Sequence, residues 1–260
     1  MPLKSRRWWR RLLVIFLTLA LLYAAITTLP FIFPYLLFSH KIHYQNLAAY
    51  SDAAFDQDFA STLQNVQFRL EDGEIYDAGA THRIFLYRRE KLYGFFAFLA
   101  GVNANSQGFN VDLFGRIFIS APFIEQLRGR FGDRYRHALI EGNLAHIIAH
   151  EIMHSCLTEK LGYRRAHALP MWKQEGYAEY GATIQAIKAD TTYDFHARVA
   201  KVLDTSFLAD MPLRRSYYEA QVLVEYLMEI EKMSFIELIE ERFTKEEALR
   251  NLKSWFAEQN

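Results

Sequence analysis

A run of residues without a single charge, Leu12 to Phe38, follows directly on a basic cluster of Lys4, Arg6, Arg7, Arg10 and Arg11. Its most apolar part, Leu12 to Leu29, spans about 27 Å as a helix, close to the hydrocarbon thickness of a bilayer. A segment of this kind has no stable place in water unless it is buried, so it sets the frame for everything after it. The basic cluster predicts a cytoplasmic N-terminus and an exported remainder. Trp8 and Trp9 suit the headgroup zone, and Pro30 and Pro34 predict a break near the far end. A cleavable signal peptide is the competing reading. Tyr23-Ala24-Ala25 is a poor cleavage site and the run is long for a signal, which favours an uncleaved anchor. The expected organisation is a basic tail over residues 1–11, a membrane segment over 12–38 and an exported domain over 40–260.

Over the whole chain, thirty basic residues balance thirty acidic ones. With no cationic excess to neutralise phosphates, a nucleic-acid partner has little support. Cys156 is the only cysteine, which excludes an internal disulfide and a cysteine-based metal cluster. It reads as a small apolar group packed inside a helix.

Local patterning predicts an α+β domain. The spacing of Leu47, Tyr50, Ala54, Phe55, Phe59 and Leu63 predicts one or two helices between His40 and Gln67. Residues 83–87 and 116–120 read as strands, 103–110 as a polar loop, and Leu92 to Val102 as core too short to span a membrane. A long helix is expected from an Asp133 N-cap to a Gly162 C-cap, and another from Pro170 to about Ala189. Three capping boxes predict later helix starts: Ser216 with Glu219, Ser234 with Glu237, and Thr244 with Glu247. The expectation is a small sheet packed on a two-helix centre, followed by a helical C-terminal lobe.

The chemistry concentrates in His150-Glu151-Ile152-Met153-His154, which fits H-E-x-x-H. Histidines four apart lie one turn above each other on a helix, so both imidazoles can reach one ion. Glu151 then points toward the place of a reacting water. The alternative is a pair of core histidines bonded to backbone. Hydrolytic zinc takes three protein ligands and keeps a fourth position open. Glu175, 21 residues after His154, supplies a third if the second helix folds back beside the first. Glu179, one turn further on, can fix a histidine tautomer, or it can be a solvated or capping carboxylate. His146 lies too far along the same helix for all three histidines to share an ion, and reads as a cleft residue or a support for a ligand. His167 and His196 read as surface or loop histidines.

H-E-x-x-H followed by Trp172-Lys173-Gln174-Glu175-Gly176-Tyr177-Ala178-Glu179-Tyr180 resembles the gluzincins, the thermolysin-like clan of zinc peptidases, in its minimal bacterial form. The resemblance covers roughly Gly115 to Leu227. It implies a zinc ion on His150, His154 and Glu175, Glu151 as general base, Glu179 supporting a histidine, and a peptide or protein substrate. It also implies an edge strand at Gly115 to Ser120 for substrate pairing. Tyr217 fits a Y-x-x-A/S pattern and is either a donor to the oxyanion or a packed tyrosine. A zinc-binding scaffold or sensor without activity is the alternative function, against which the presence of Glu151 argues. An intramembrane protease needs several spans; one apolar run and a metal helix carrying Glu141, Glu151, Glu159 and Lys160 argue against it.

Overall fold

The computed structural model describes residues 3–126, 144–240 and 244–259. Helix α1 (Leu3–Ile32) runs through Pro30, and its stretch Trp8–Ile32 is long and apolar enough to cross a membrane. Pro34 does end it: a 3-10 turn, Pro34–Leu37, leads into the domain.

Five strands form one sheet: β1 (His40–Tyr44), β2 (Leu47–Ser51), β3 (His82–Tyr87), β4 (Gly108–Val111) and β5 (Arg116–Ser120). Their order is β1-β2-β3-β5-β4; β2, β3 and β5 run parallel, while β1 and β4 lie antiparallel on the two edges. Side chains of the parallel strands are buried on both faces, which is why these strands read as apolar runs. Ile84, Leu86, Ile117 and Ile119 face one core. Phe85, Tyr87 and Phe118 face a second, aromatic one.

Three expectations are corrected here. The segment from His40 begins as the β1–β2 hairpin, not a helix. Its turn uses Gln45 in the left-handed region (φ 50°), and Asn46 Nδ2 donates to the Ala80 carbonyl at 2.9 Å. The Ala-rich β2 is a strand because it is buried between two neighbours, a tertiary effect that overrides local preference. The polar loop over 103–110 ends in an unforeseen strand, β4. That strand takes the edge position, so Gly115 to Ser120, expected at the edge, instead forms β5 between β3 and β4.

The first core is covered by α2 (Phe59–Leu70), α4 (Leu144–Leu161), α6 (Met171–Ala189) and α8 (Pro212–Glu225). The second is covered by α3 (Glu90–Ala100) and the end of α1. A helical stretch over residues 121–126 follows β5; the Asp133 start expected for the metal helix lies outside the described residues. Gly162 ends α4 at φ 78°, where its N–H donates to the Thr158 carbonyl at 2.8 Å. A short α5 (Tyr163–Ala168) and Pro170 then turn the chain into α6.

Helix α6 is gripped from two sides through its glycines. A Cβ at Gly176 would stand 2.5 Å from the Ala220 carbonyl oxygen of α8, and one at Gly181 would stand 2.6 Å from Met153 Cε of α4. These positions let the helices approach as closely as they do. Helix α7 (Phe195–Leu203) is tied to α8 by a buried ion pair, Arg198 with Glu225, and Arg198 Nη2 also donates to Gln221 Oε1 at 2.9 Å. Gln221 Nε2 donates in turn to Thr183 Oγ1 of α6 at 2.7 Å. The chain closes with α9 (Phe235–Glu240) and α10 (Lys245–Glu258). Ser234–Glu237 and Thr244–Glu247 make reciprocal caps. Ser216 makes no helix start, because Pro212 at the first turn has already begun α8.

Candidate metal centre

His150 and His154 are held by α4, whose almost wholly buried length fixes their rotation about the helix axis. Glu175 is brought opposite them by α6, which packs on α4 after the turn at Gly162 and Pro170. His150 Nε2 and His154 Nε2 are 3.1 Å apart, and Glu175 Oε2 lies 3.4 Å from the first and 3.5 Å from the second. A cation bound tetrahedrally at 2.0–2.1 Å from each donor needs those donors about 3.3–3.4 Å apart. The triangle therefore has the size for one small divalent ion. Among the described residues these three form the one such cluster of His, Cys, Asp and Glu ligand atoms.

Two imidazole nitrogens and a carboxylate oxygen make a donor set suited to zinc. The charges around them agree. Burial alone lowers the His150 pKa, but the carboxylates of Glu179 and Glu175 outweigh it and lift the value to about 9. The Glu175 carboxyl, although burial opposes ionisation, is held well below the usual range by hydrogen bonds and charge from both histidines. A field that attracts a proton this strongly attracts a divalent cation for the same reason.

Glu179 stands behind the triangle. Its Oε2 is 3.0 Å from His146 Nε2 and its Oε1 is 3.3 Å from His150 Nδ1. The second contact is a close approach of charge, not a well-aligned hydrogen bond: His150 Nδ1 lacks a partner of good geometry. Despite complete burial, the two imidazoles draw the Glu179 pKa down to about 2. Glu179 is thus an ionised, buried carboxylate between two histidines.

Glu151 is also buried, and burial pushes its carboxyl above the ordinary range, with His150 and His154 pulling the other way. It borders two cavities. One, of about 300 Å³, is lined by Gly108, His146, His150, Arg214 and Tyr217; the other, of about 200 Å³, by Asn110, Asp112, His154, His167 and Glu175. Strand β4 runs along both, and a Cβ at Gly108 would come 3.2 Å from Glu151 Oε1. Tyr217 lines the first cavity together with Glu151 and Glu179, and burial and the charges of Glu175, Glu151 and Glu179 raise its phenol above the ordinary range.

The structure thus brings five of the six singled-out side chains, His150, Glu151, His154, Glu175 and Glu179, into one cluster, with Tyr217 across the cavity. Sequence patterning passed over the far side. His167 Nε2 lies 2.7 Å from Asp112 Oδ2, and Arg214 Nη2 donates to Gln107 Oε1 at 2.8 Å. Nothing in the spacing of residues so distant along the chain announces either contact. His196 stacks on Phe256 at 4.1 Å, among the C-terminal helices. No protein-family model matches this chain, and no curated protein matches it, so the reading of this centre stands on its geometry.

Proposed function

We propose that this protein is a zinc-dependent peptidase, held at the membrane by α1, that hydrolyses peptide bonds of exported or membrane-proximal proteins. The observation that carries the proposal is the His150, His154 and Glu175 triangle, sized for one tetrahedral ion, with Glu151 beside it and cavity space on both sides. A zinc ion held by these three residues would supply electrophilic activation of water and of the scissile carbonyl.

The remaining work falls to the chain's own groups. Glu151 accepts the proton of the attacking water at its carboxylate and returns it to the leaving amine. Tyr217, with its proton held firmly by burial and neighbouring charge, donates to the carbonyl oxygen as negative charge develops there. Glu179 keeps His150 oriented. Strand β4 is an antiparallel edge bordering the cleft, and an extended peptide can add to such an edge through main-chain hydrogen bonds. This support for strand addition comes from β4 and not from β5.

The test is metal analysis of the purified full chain together with hydrolysis of a peptide library. The expected result is one zinc per chain and cleavage abolished by a chelator. Glu151→Gln should retain the metal and lose turnover by about 10²–10⁴. His150→Ala should lose the metal. Zinc bound with Glu151→Gln indistinguishable from the parent would instead identify a binding protein without this chemistry. Absence of metal affinity would end the proposal.

A further inference from the structure

The second core reaches the surface where α1 leaves it. Phe31, at the end of α1, is 5% exposed and packs edge-on against Phe96 of α3, with ring centroids 5.5 Å apart. Helix α3 therefore lies beside the exit point of the apolar helix. One of its faces (Tyr93, Phe96, Ala97) is core. The other carries Lys91, Phe95 and Phe98 at helical spacing, with Phe95 43% and Phe98 79% exposed. In the connecting turn that follows Phe31, Phe33 and Leu36 are 52% and 87% exposed. Large apolar side chains left exposed on both elements that meet at Phe31 mark an interaction site.

The position and surrounding charge identify the occupant. The patch continues the apolar surface of α1, which runs from Trp8 into the domain with no polar linker between them. The aromatic face of the sheet beside it carries basic residues: Arg83 and Arg116 sit opposite each other in register on β3 and β5, and Lys41 lies over the Tyr50 ring. Exposed phenylalanines that share a helix face with Lys91, together with a sheet face that carries Lys41 and Arg83, suit the boundary between acyl chains and phosphate headgroups. We infer that α3 lies in the lipid interface beside the exit of α1, with Phe95 and Phe98 among the acyl chains and the exposed Lys41 and Arg83 at headgroup level. The sequence expectation that Leu92 to Val102 is core then holds for one face of α3 only. The inference rests on reading α1 as a membrane helix and is independent of the metal chemistry.

The full chain in nanodiscs of phosphatidylethanolamine and phosphatidylglycerol tests it. Cys156 is buried, so a thiol-reactive fluorophore reports introduced cysteines. Phe98→Cys, Leu22→Cys in α1 and Lys253→Cys on α10 are compared, using a lipid-borne nitroxide and aqueous iodide as quenchers. The label at 98 should be quenched by the lipid nitroxide several-fold more than the label at 253, and by iodide several-fold less. Equal behaviour at 98 and 253 overturns the inference. So does a label at 98 shielded from both quenchers in discs that hold two chains, which would make the face a contact between copies. A label at 22 that escapes the lipid quencher shows that the membrane reading of α1 has failed, and this inference with it.

Discussion

The Glu179 carboxylate approaches His150 at Nδ1, 3.3 Å away, while Nε2 faces Glu175 at 3.4 Å. The carboxylate charge therefore acts on one ring nitrogen, and on the proposed reading the other is the one that takes the cation. The other oxygen of Glu179 is committed to His146. Replacement by alanine removes the acidic group that stands at His150 Nδ1 among the described residues. Glu179→Ala should weaken zinc affinity by about 10–100-fold. Competition with a zinc-chelating dye measures this, and His150→Ala sets the scale for complete loss.

Tyr217 lines the cavity beside Glu151 and Glu179 without joining the triangle. Its removal should slow the chemical step and spare the metal. Tyr217→Phe is expected to lower kcat by about 10²–10³, as for loss of one oxyanion donor, with zinc content and KM little changed. Steady-state kinetics at matched zinc occupancy checks it. A change confined to KM would assign the phenol to substrate binding.

Gly176, between the proposed ligand Glu175 and Tyr177, is a packing requirement. Alanine gains about 1 kcal/mol in helix propensity, but overpacking costs about 1–3 kcal/mol. The atom met at 2.5 Å is a backbone carbonyl oxygen, which no rotamer change can move. Gly176→Ala should lower stability in denaturant titration and weaken zinc binding by displacing Glu175. Gly181→Ala meets the flexible end of Met153 and should cost less.

Arg198 and Glu225 form a buried ion pair joining α7 and α8. Removing one partner leaves a buried charge, so Arg198→Leu should cost about 3–5 kcal/mol. Adding Glu225→Leu should recover much of that loss. Urea unfolding of the two variants and the parent separates the outcomes.

The caps of α9 and α10 give a pH signature. Backbone and hydroxyl donors of Ser234 and Thr244 favour ionised Glu237 and Glu247, lowering both from the ordinary 4.5. Their contribution is complete above 4.5 and disappears as pH falls through the lower folded values. Thr244→Ala should cost about 1 kcal/mol at neutral pH. The cost should shrink on acidification through this range, as read by thermal unfolding at each pH.

Which of these features the sequence displays depends on how local they are. The imidazole pair of α4 and the bend at Gly162 and Pro170 depend on spacing within one or two helices, and they are visible as pattern. So is the α1 run. The hairpin at Gln45 was obscured because Ala48 and Ala49 carry no strand preference of their own and are held only by burial between β1 and β3. Strand β4 is four residues long, too short for periodicity, and its place at the edge depends on pairing with β5. Ser216 mimics a helix start because a capping box is a local motif, and the Pro212 signal that pre-empted it lies just upstream. The contacts of Asp112 with His167 and Gln107 with Arg214 join segments 55 and 107 residues apart, a separation at which pattern carries no information.

The join between α1 and the sheet has a mechanical consequence. Only seven residues separate Ile32 from His40, and Pro34 and Phe38 among them are buried. Seven residues reach at most about 25 Å even when fully extended. On the reading of α1 as a membrane helix the sheet therefore stays close to the bilayer, and lengthening this join would change how far the cleft can stand from it.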